Sequence, residues 1–166
     1  MHSSYKQKLE ELRKMAKAMV SESKPRVRRA EDIIPYIEHY GLEDQEILGI
    51  IVLNTSNKVL GVEEVHRGGI NKVDIDLKVL FKRILQYQTA TNFILFHNHP
   101  SGTCQPSPED RAITKIIKAA AIILQFEMLD HIIICADGSF YSFERMGEMP
   151  DLITPNAALN TLFQEA

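Results

Sequence analysis

The segment Asn92 to Phe96 is a short apolar run that stops directly at His97-Asn98-His99. A run without polar alternation fits a central strand covered on both faces. It commits the chain to a sheet with cover on each side, and the other segments read around it. Glu46 to Asn54, rich in Ile, Val and Leu, is predicted as a strand. Asn54-Thr55-Ser56-Asn57 has turn chemistry, and Lys58 to His66 reads as a second strand, so the two form a hairpin ended by Gly68-Gly69. Residues 75–88 read as a helix with Leu77, Leu80, Phe81, Ile84 and Leu85 on its buried side. Residues 97–106 are loop-like, and Ser107-Pro108-Glu109-Asp110 opens a helix that runs to about Leu124. Leu129 to Cys135 is another buried strand, Asp137-Gly138 a turn, and Ser139 to Phe143 the returning strand. This alternation predicts an α/β fold with a mixed β-sheet flanked by helices.

The ends are simpler. Residues 3–22 are predicted helical, with Leu9, Leu12, Met15, Ala16 and Met19 in a narrow stripe. Such a stripe suits packing on the domain or on a second copy, so a homodimer through this helix is one expectation. Residues 23–29 read as a linker containing Pro25, and 30–41 as a short helix ended by Gly41, with Pro35 inside it. The tail is helical near residues 156–165. The organisation read from these features is an N-terminal helix and linker over 1–29, one domain over 30–148, and a tail over 149–166.

With 166 residues, 45% of them hydrophobic, the chain can bury a core without disulfides or a structural metal. A metal here would therefore serve chemistry. No apolar stretch is long enough to cross a bilayer, and the first residues do not resemble a secretory leader. Cys104 and Cys135 form no CxxC pair. The expectation is a cytoplasmic protein with free thiols, Cys104 in a loop and Cys135 buried as a small side chain. The net charge of −3 gives no basic excess for nucleic acid. The one basic cluster, Lys24, Arg26, Arg28 and Arg29, runs straight into Glu31 and Asp32 and reads as a solvated linker.

The chemistry concentrates at His97-Asn98-His99. Residues i and i+2 of an extended chain point to the same side, so two imidazoles converge at the end of a strand, where α/β sheets place their sites. Asp110 follows eleven residues after His99, at a helix start, and the loop can return its carboxylate to the imidazoles. Two His and one carboxylate leave an open position on zinc, which lowers the pKa of bound water from ~16 to ~7. Ser107-x-x-Asp110 also reads as a helix cap with Pro108 in the first turn, and the two roles are compatible. Hydrolysis needs a base. Glu63 and Glu64 on the second strand are the candidates. Being adjacent, they face opposite sides, and the strand pattern does not choose between them. His131 reads as a core histidine or a contact behind a ligand, and His39 and His66 as exposed.

Glu63, His97-Asn98-His99-Pro100-Ser101-Gly102, Ser107 and Asp110 resemble the JAMM metalloprotease motif of the JAB1/MPN domain. The HNHPSG form, Arg67-Gly68-Gly69-Ile70-Asn71 and Leu129-Asp130-His131-Ile132-Ile133-Ile134 are similar to the bacterial RadC-like branch, over about Arg29 to Phe143. Two details depart from that branch, Thr103-Cys104-Gln105 in the loop and Lys78 in place of a frequent Arg. The N-terminal helix-hairpin-helix segment common in the branch is not recognisable here. The resemblance implies a three-layer, cytidine-deaminase-like sandwich and one Zn2+ per chain on His97, His99 and Asp110. It also implies Glu63 as general base and Ser107 as a donor to the developing oxyanion. The implied activity is amide hydrolysis by a zinc metallopeptidase or isopeptidase acting on a peptide or protein. A DNA repair or recombination accessory with direct nucleic-acid binding and a non-catalytic metal-binding scaffold are the rival readings. A zinc deaminase is disfavoured, because HxE with PCxxC is missing.

Overall fold

The computed structural model describes residues 2–22, 26–69 and 75–164. Ile70 and Asn71 of the RGGIN segment, and Lys24 and Pro25 of the predicted linker, lie outside the described residues. The side chain of Met19, part of the predicted helical stripe, does as well.

Five strands form one mixed sheet. In chain order they are β1 (Ile47–Asn54), β2 (Val59–Arg67), β3 (Ala90–Asn98), β4 (Glu127–Ile134) and β5 (Phe140–Ser142). Their spatial order is β2-β1-β3-β4-β5, so the apolar run predicted to be central is central. The β1–β2 hairpin is antiparallel, as the Asn54–Asn57 turn dictates, with Asn57 in the left-handed region at φ 56°. β1 also pairs antiparallel with β3, and β3 pairs parallel with β4. A parallel pair needs a crossover, and α4 (Pro108–Ile123) supplies it.

Alternation along β1 and β3 divides the core into two halves. Leu48, Ile50, Val52, Phe93 and Leu95 pack against α4 and α3 (Leu77–Ile84), through Leu80, Phe81, Ile84, Ile113 and Ile117. On the other face, Ile51, Leu53, Ile94, Phe96 and Ile132 meet Val27, Ile33, Tyr36 and Ile37. Helical turns therefore cover both faces of the sheet, the layering expected from its apolar centre.

The N-terminal cover differs in detail from one short helix. Residues 30–42 are two 3-10 turns around the short α2 (Ile34–Ile37), because Pro35 suits a first helical turn and cannot continue a ladder. The helix read over 75–88 is shorter as well: Asp76 caps α3 and turns follow Ile84. α1 (His2–Glu22) lies on this N-terminal layer, with Ala16 buried against the domain and Arg13 paired to Glu43, whereas Met15 of the predicted stripe is exposed. α5 (Pro155–Gln164) packs on α4. Among the described residues, no helix is long and apolar enough to cross a membrane.

Candidate metal centre

β3 carries its ladder through Asn98, so His97 is delivered by the sheet itself and is almost fully buried. His99 follows one residue past the strand, where its N–H still donates to the Ile134 carbonyl (3.2 Å). Asn98 points to the other side and has its own task. Its Oδ1 accepts from Ile47 N (2.7 Å) and its Nδ2 donates to Gln45 O (3.0 Å). The HxH pair thus brackets a residue that fastens the start of β1 beside it. Gly102 then turns the chain at φ +84°, where a side chain would be strained.

Asp110 arrives from the first turn of α4. Ser107 caps that helix in a reciprocal box: Ser107 Oγ accepts from Asp110 N (3.1 Å), and Ser107 N donates to Asp110 Oδ2 (2.7 Å). The serine hydroxyl also donates to the same carboxylate oxygen, at 2.7 Å. Both readings of Ser107-x-x-Asp110 meet in this geometry: the cap is what aims the carboxylate.

His97 Nε2 lies 3.1 Å from Asp110 Oδ1, His99 Nε2 lies 3.3 Å from Asp110 Oδ2, and the two Nε2 atoms are 2.8 Å apart. The three side chains each offer one ligand atom within 4.8 Å of the others. Burial alone would raise the Asp110 pKa, but the two imidazoles beside it and the Ser107 backbone N–H hold it far below the usual carboxylate range. The Asp110 carboxylate in turn raises the His99 pKa against the opposing effect of burial.

The remote nitrogens of both imidazoles are already engaged. His99 Nδ1 donates to the Thr103 carbonyl at 2.6 Å. His97 Nδ1 is 2.8 Å from His131 Nε2, His131 Nδ1 is 2.6 Å from Thr114 Oγ1, and Thr114 Oγ1 donates to Asp110 O at 2.5 Å. One assignment of protons satisfies this chain: each group donates onward, and His97 Nε2 is left as a lone pair facing the cluster. Burial pushes the His131 pKa well down, consistent with the neutral ring the chain requires. Two converging Nε2 lone pairs with one ionised carboxylate are a fit donor set for zinc.

The carboxylates proposed as the base separate from this group. Glu63 faces the α3 side, where Tyr87 Oη donates to its Oε1 (2.5 Å) and Arg83 lies 3.8 Å from its Oε2. Glu63 lies on β2 opposite Ile50 of β1, two strands away from His97, a span of roughly 9–10 Å across the sheet. Glu64 faces the other side and holds Arg67 through both oxygens, at 2.8 and 3.0 Å. Neither is brought to the histidines. Besides Glu109, an exposed residue of the first turn of α4, the carboxylate brought there is Glu46, which shares an open cleft of 370 Å³ with His99, Ser107 and Asp110. The register explains it: Leu48 opposes His97, so the residue two before Leu48 reaches the position beside His99 on the same face. Glu46 was legible only as the first residue of a strand. The larger cavity, 510 Å³ between α1 and β2, contains none of the cluster.

Three other expectations change. His39 is buried, with its Nδ1 unpartnered, and burial depresses its pKa to about 4. His66 is half-buried. Cys104 and Cys135, expected as free thiols, are joined as a disulfide, because the loop after His99 folds back over the end of β4. Cys135 is buried as expected.

A family model described as the RadC-like JAB domain matches residues 27–148. Curated relatives include a UPF0758 protein of Flavobacterium johnsoniae, 40% identical over 71% of this chain and 56% of its own length. Another, from Desulforudis audaxviator, is 38% identical over 82% of this chain and 59% of its own. A third, from Porphyromonas gingivalis, is 37% identical over 62% and 45%. The chain thus spans about half the length of the curated relatives it matches. With its mixed sheet, its flanking helices and the match over most of its length, the chain belongs to the RadC-like JAB domain family.

Proposed function

We propose that this domain is a zinc-dependent amide hydrolase of the JAMM type, a metallopeptidase or isopeptidase. The observation that carries the reading is the convergence of His97 Nε2, His99 Nε2 and an Asp110 oxygen, with every remote hydrogen-bonding atom of the two imidazoles engaged elsewhere. Bound zinc would supply Lewis acidity toward a carbonyl and a water acidic enough to be used near neutral pH.

The protein's own groups have separable tasks. His97, His99 and Asp110 hold the ion. Glu46, at the mouth of the same cleft, takes the proton from the attacking water and returns it to the leaving amine. It assumes the base role that the family resemblance gave to Glu63, whose carboxylate on β2 is engaged with Tyr87. Ser107 lines the cleft, and its one hydroxyl proton swings from Asp110 Oδ2 to the carbonyl oxygen as that oxygen gains charge.

The test is elemental analysis of the purified protein and of His97→Ala/His99→Ala, followed by a peptide-library hydrolysis screen. One zinc per chain, absent from the folded double variant, with cleavage abolished by chelation and restored by zinc, is the expected result. A wild-type protein that takes up no metal after zinc addition and dialysis refutes the reading. One that holds zinc but cleaves nothing in the library favours a metal-binding scaffold.

A further inference from the structure

The bonded Cys104 and Cys135 have Cα atoms 5.9 Å apart. Each end of the bond touches the metal centre's supports. Cys104 directly follows Thr103, whose carbonyl accepts from His99 Nδ1, and precedes by three residues Ser107, which holds Asp110. Cys135 directly follows Ile134, whose carbonyl accepts from His99 N. Its own backbone is fixed by Ser139 O and Gly138 N at 2.9 and 3.0 Å. The bond therefore ties the loop that orients two of the three ligand groups to the rigid end of the central sheet.

We infer that Cys104–Cys135 is a redox-modification site that sets how tightly the centre holds its metal. This inference rests on the reading of the cluster as a zinc site. With the bond intact, the Thr103 carbonyl is held against His99 and keeps its Nε2 turned to the cluster. With the bond cleaved, residues 100–106 keep their local turn and the contacts of Cys104 with Ser139 and the Ile133–Tyr141–Phe143 cluster, but lose the covalent tie, and His99 gains freedom to exchange tautomer and rotamer.

The reductant is a dithiol of thioredoxin type. Its thiolate attacks Sγ of Cys104, the half-buried member, because Cys135 is only 1% exposed. The S–S bond breaks and Cys135 leaves as a thiolate. The reductant's second thiol then displaces Cys104 and departs as a cyclic disulfide. Two electrons and two protons pass to the protein. Reoxidation reverses each step.

The experiment uses the full chain loaded with one zinc, either oxidised or reduced with a phosphine and desalted. Denatured aliquots are titrated for thiols, and zinc release to a chromophoric chelator is timed. No thiols in the oxidised form and two after reduction are expected, with release roughly ten- to a hundredfold faster on reduction, the scale of losing a group behind a metal ligand. Cys104→Ser, checked for fold by circular dichroism, should release zinc fast under both conditions. Two free thiols after exposure to an oxidant would remove the disulfide and the inference with it. Two thiols gained with release unchanged or slower would overturn the coupling while leaving the zinc site standing. Zinc retained by oxidised His97→Ala/His99→Ala would be held elsewhere, and would sink the zinc-site reading and this inference together.

Discussion

His131 Nε2 stands 2.8 Å from Nδ1 of His97, inside the core and away from the cleft. Phe143 stacks on the outer face of His131 with ring planes 15° apart, and Thr114 takes up its other nitrogen. His131 is a positioning residue: it fixes which nitrogen of His97 carries the proton, and so which one faces the cluster. His131→Phe preserves the stack but leaves His97 Nδ1 without an acceptor. Zinc affinity, measured by chelator competition, should fall roughly ten- to a hundredfold. His131→Gln can still accept and should recover part of the loss. Equal losses in both variants would mean that the ring acts by packing alone.

Glu46 and Glu63 make opposite predictions. Glu46→Gln should retain one zinc and lose about a hundredfold or more in turnover, the scale of losing a general base. Glu63→Gln weakens the contacts to Tyr87 and Arg83 and should leave turnover within a few-fold. If the loss follows Glu63, the register argument for Glu46 is wrong.

Ser107 can be divided between its two tasks. Ser107→Ala removes the cap and the hydroxyl, and should cost about 1 kcal/mol of stability and about a hundredfold in turnover. Ser107→Gly costs the cap only a few tenths of a kcal/mol and carries no side-chain donor. Its Tm should stay near wild type while turnover stays low. A Ser107→Gly protein with normal turnover would leave the serine with capping only.

His39 gives a pH dependence of stability. Burial first, then the charges of Arg13 and Lys17, depress its pKa to about 4, against the opposing pull of Glu43. Between the unfolded value of 6.5 and about 4, the unfolded chain takes up a proton that the folded chain refuses. Stability is therefore full above 6.5 and falls as pH drops toward 4, by up to about 3 kcal/mol. Asp130, pushed up to about 6 by burial, contributes the opposite slope over part of that range. Denaturant unfolding of wild type and His39→Phe from pH 7.5 to 4.5 isolates the histidine, since Asp130 is common to both. Parallel curves would show that His39 charges freely in the fold.

What the sequence determined by itself was local. The apolar run before His97 required a covered central strand, Asn54–Asn57 required a hairpin, and Ser107-Pro108-x-Asp110 required a helix start with a carboxylate in its first turn. From these follow the mixed sheet and the meeting of His97, His99 and Asp110, all of which lie within fourteen residues of one another. Glu46, His131 and the Cys104–Cys135 bond depend on which strands become neighbours. Hairpin logic pairs β1 with β2, and nothing in either segment states that β1's other edge pairs with β3 in the register Leu48 opposite His97. That register, not the alternation of Glu63 and Glu64, decides which glutamate reaches the cluster. The parallel β3–β4 pairing likewise sets His131 behind His97 across 34 residues of chain. Side-chain periodicity reports which face a residue takes on its own strand. Which residue stands beside it on the next strand is decided only when the sheet is assembled.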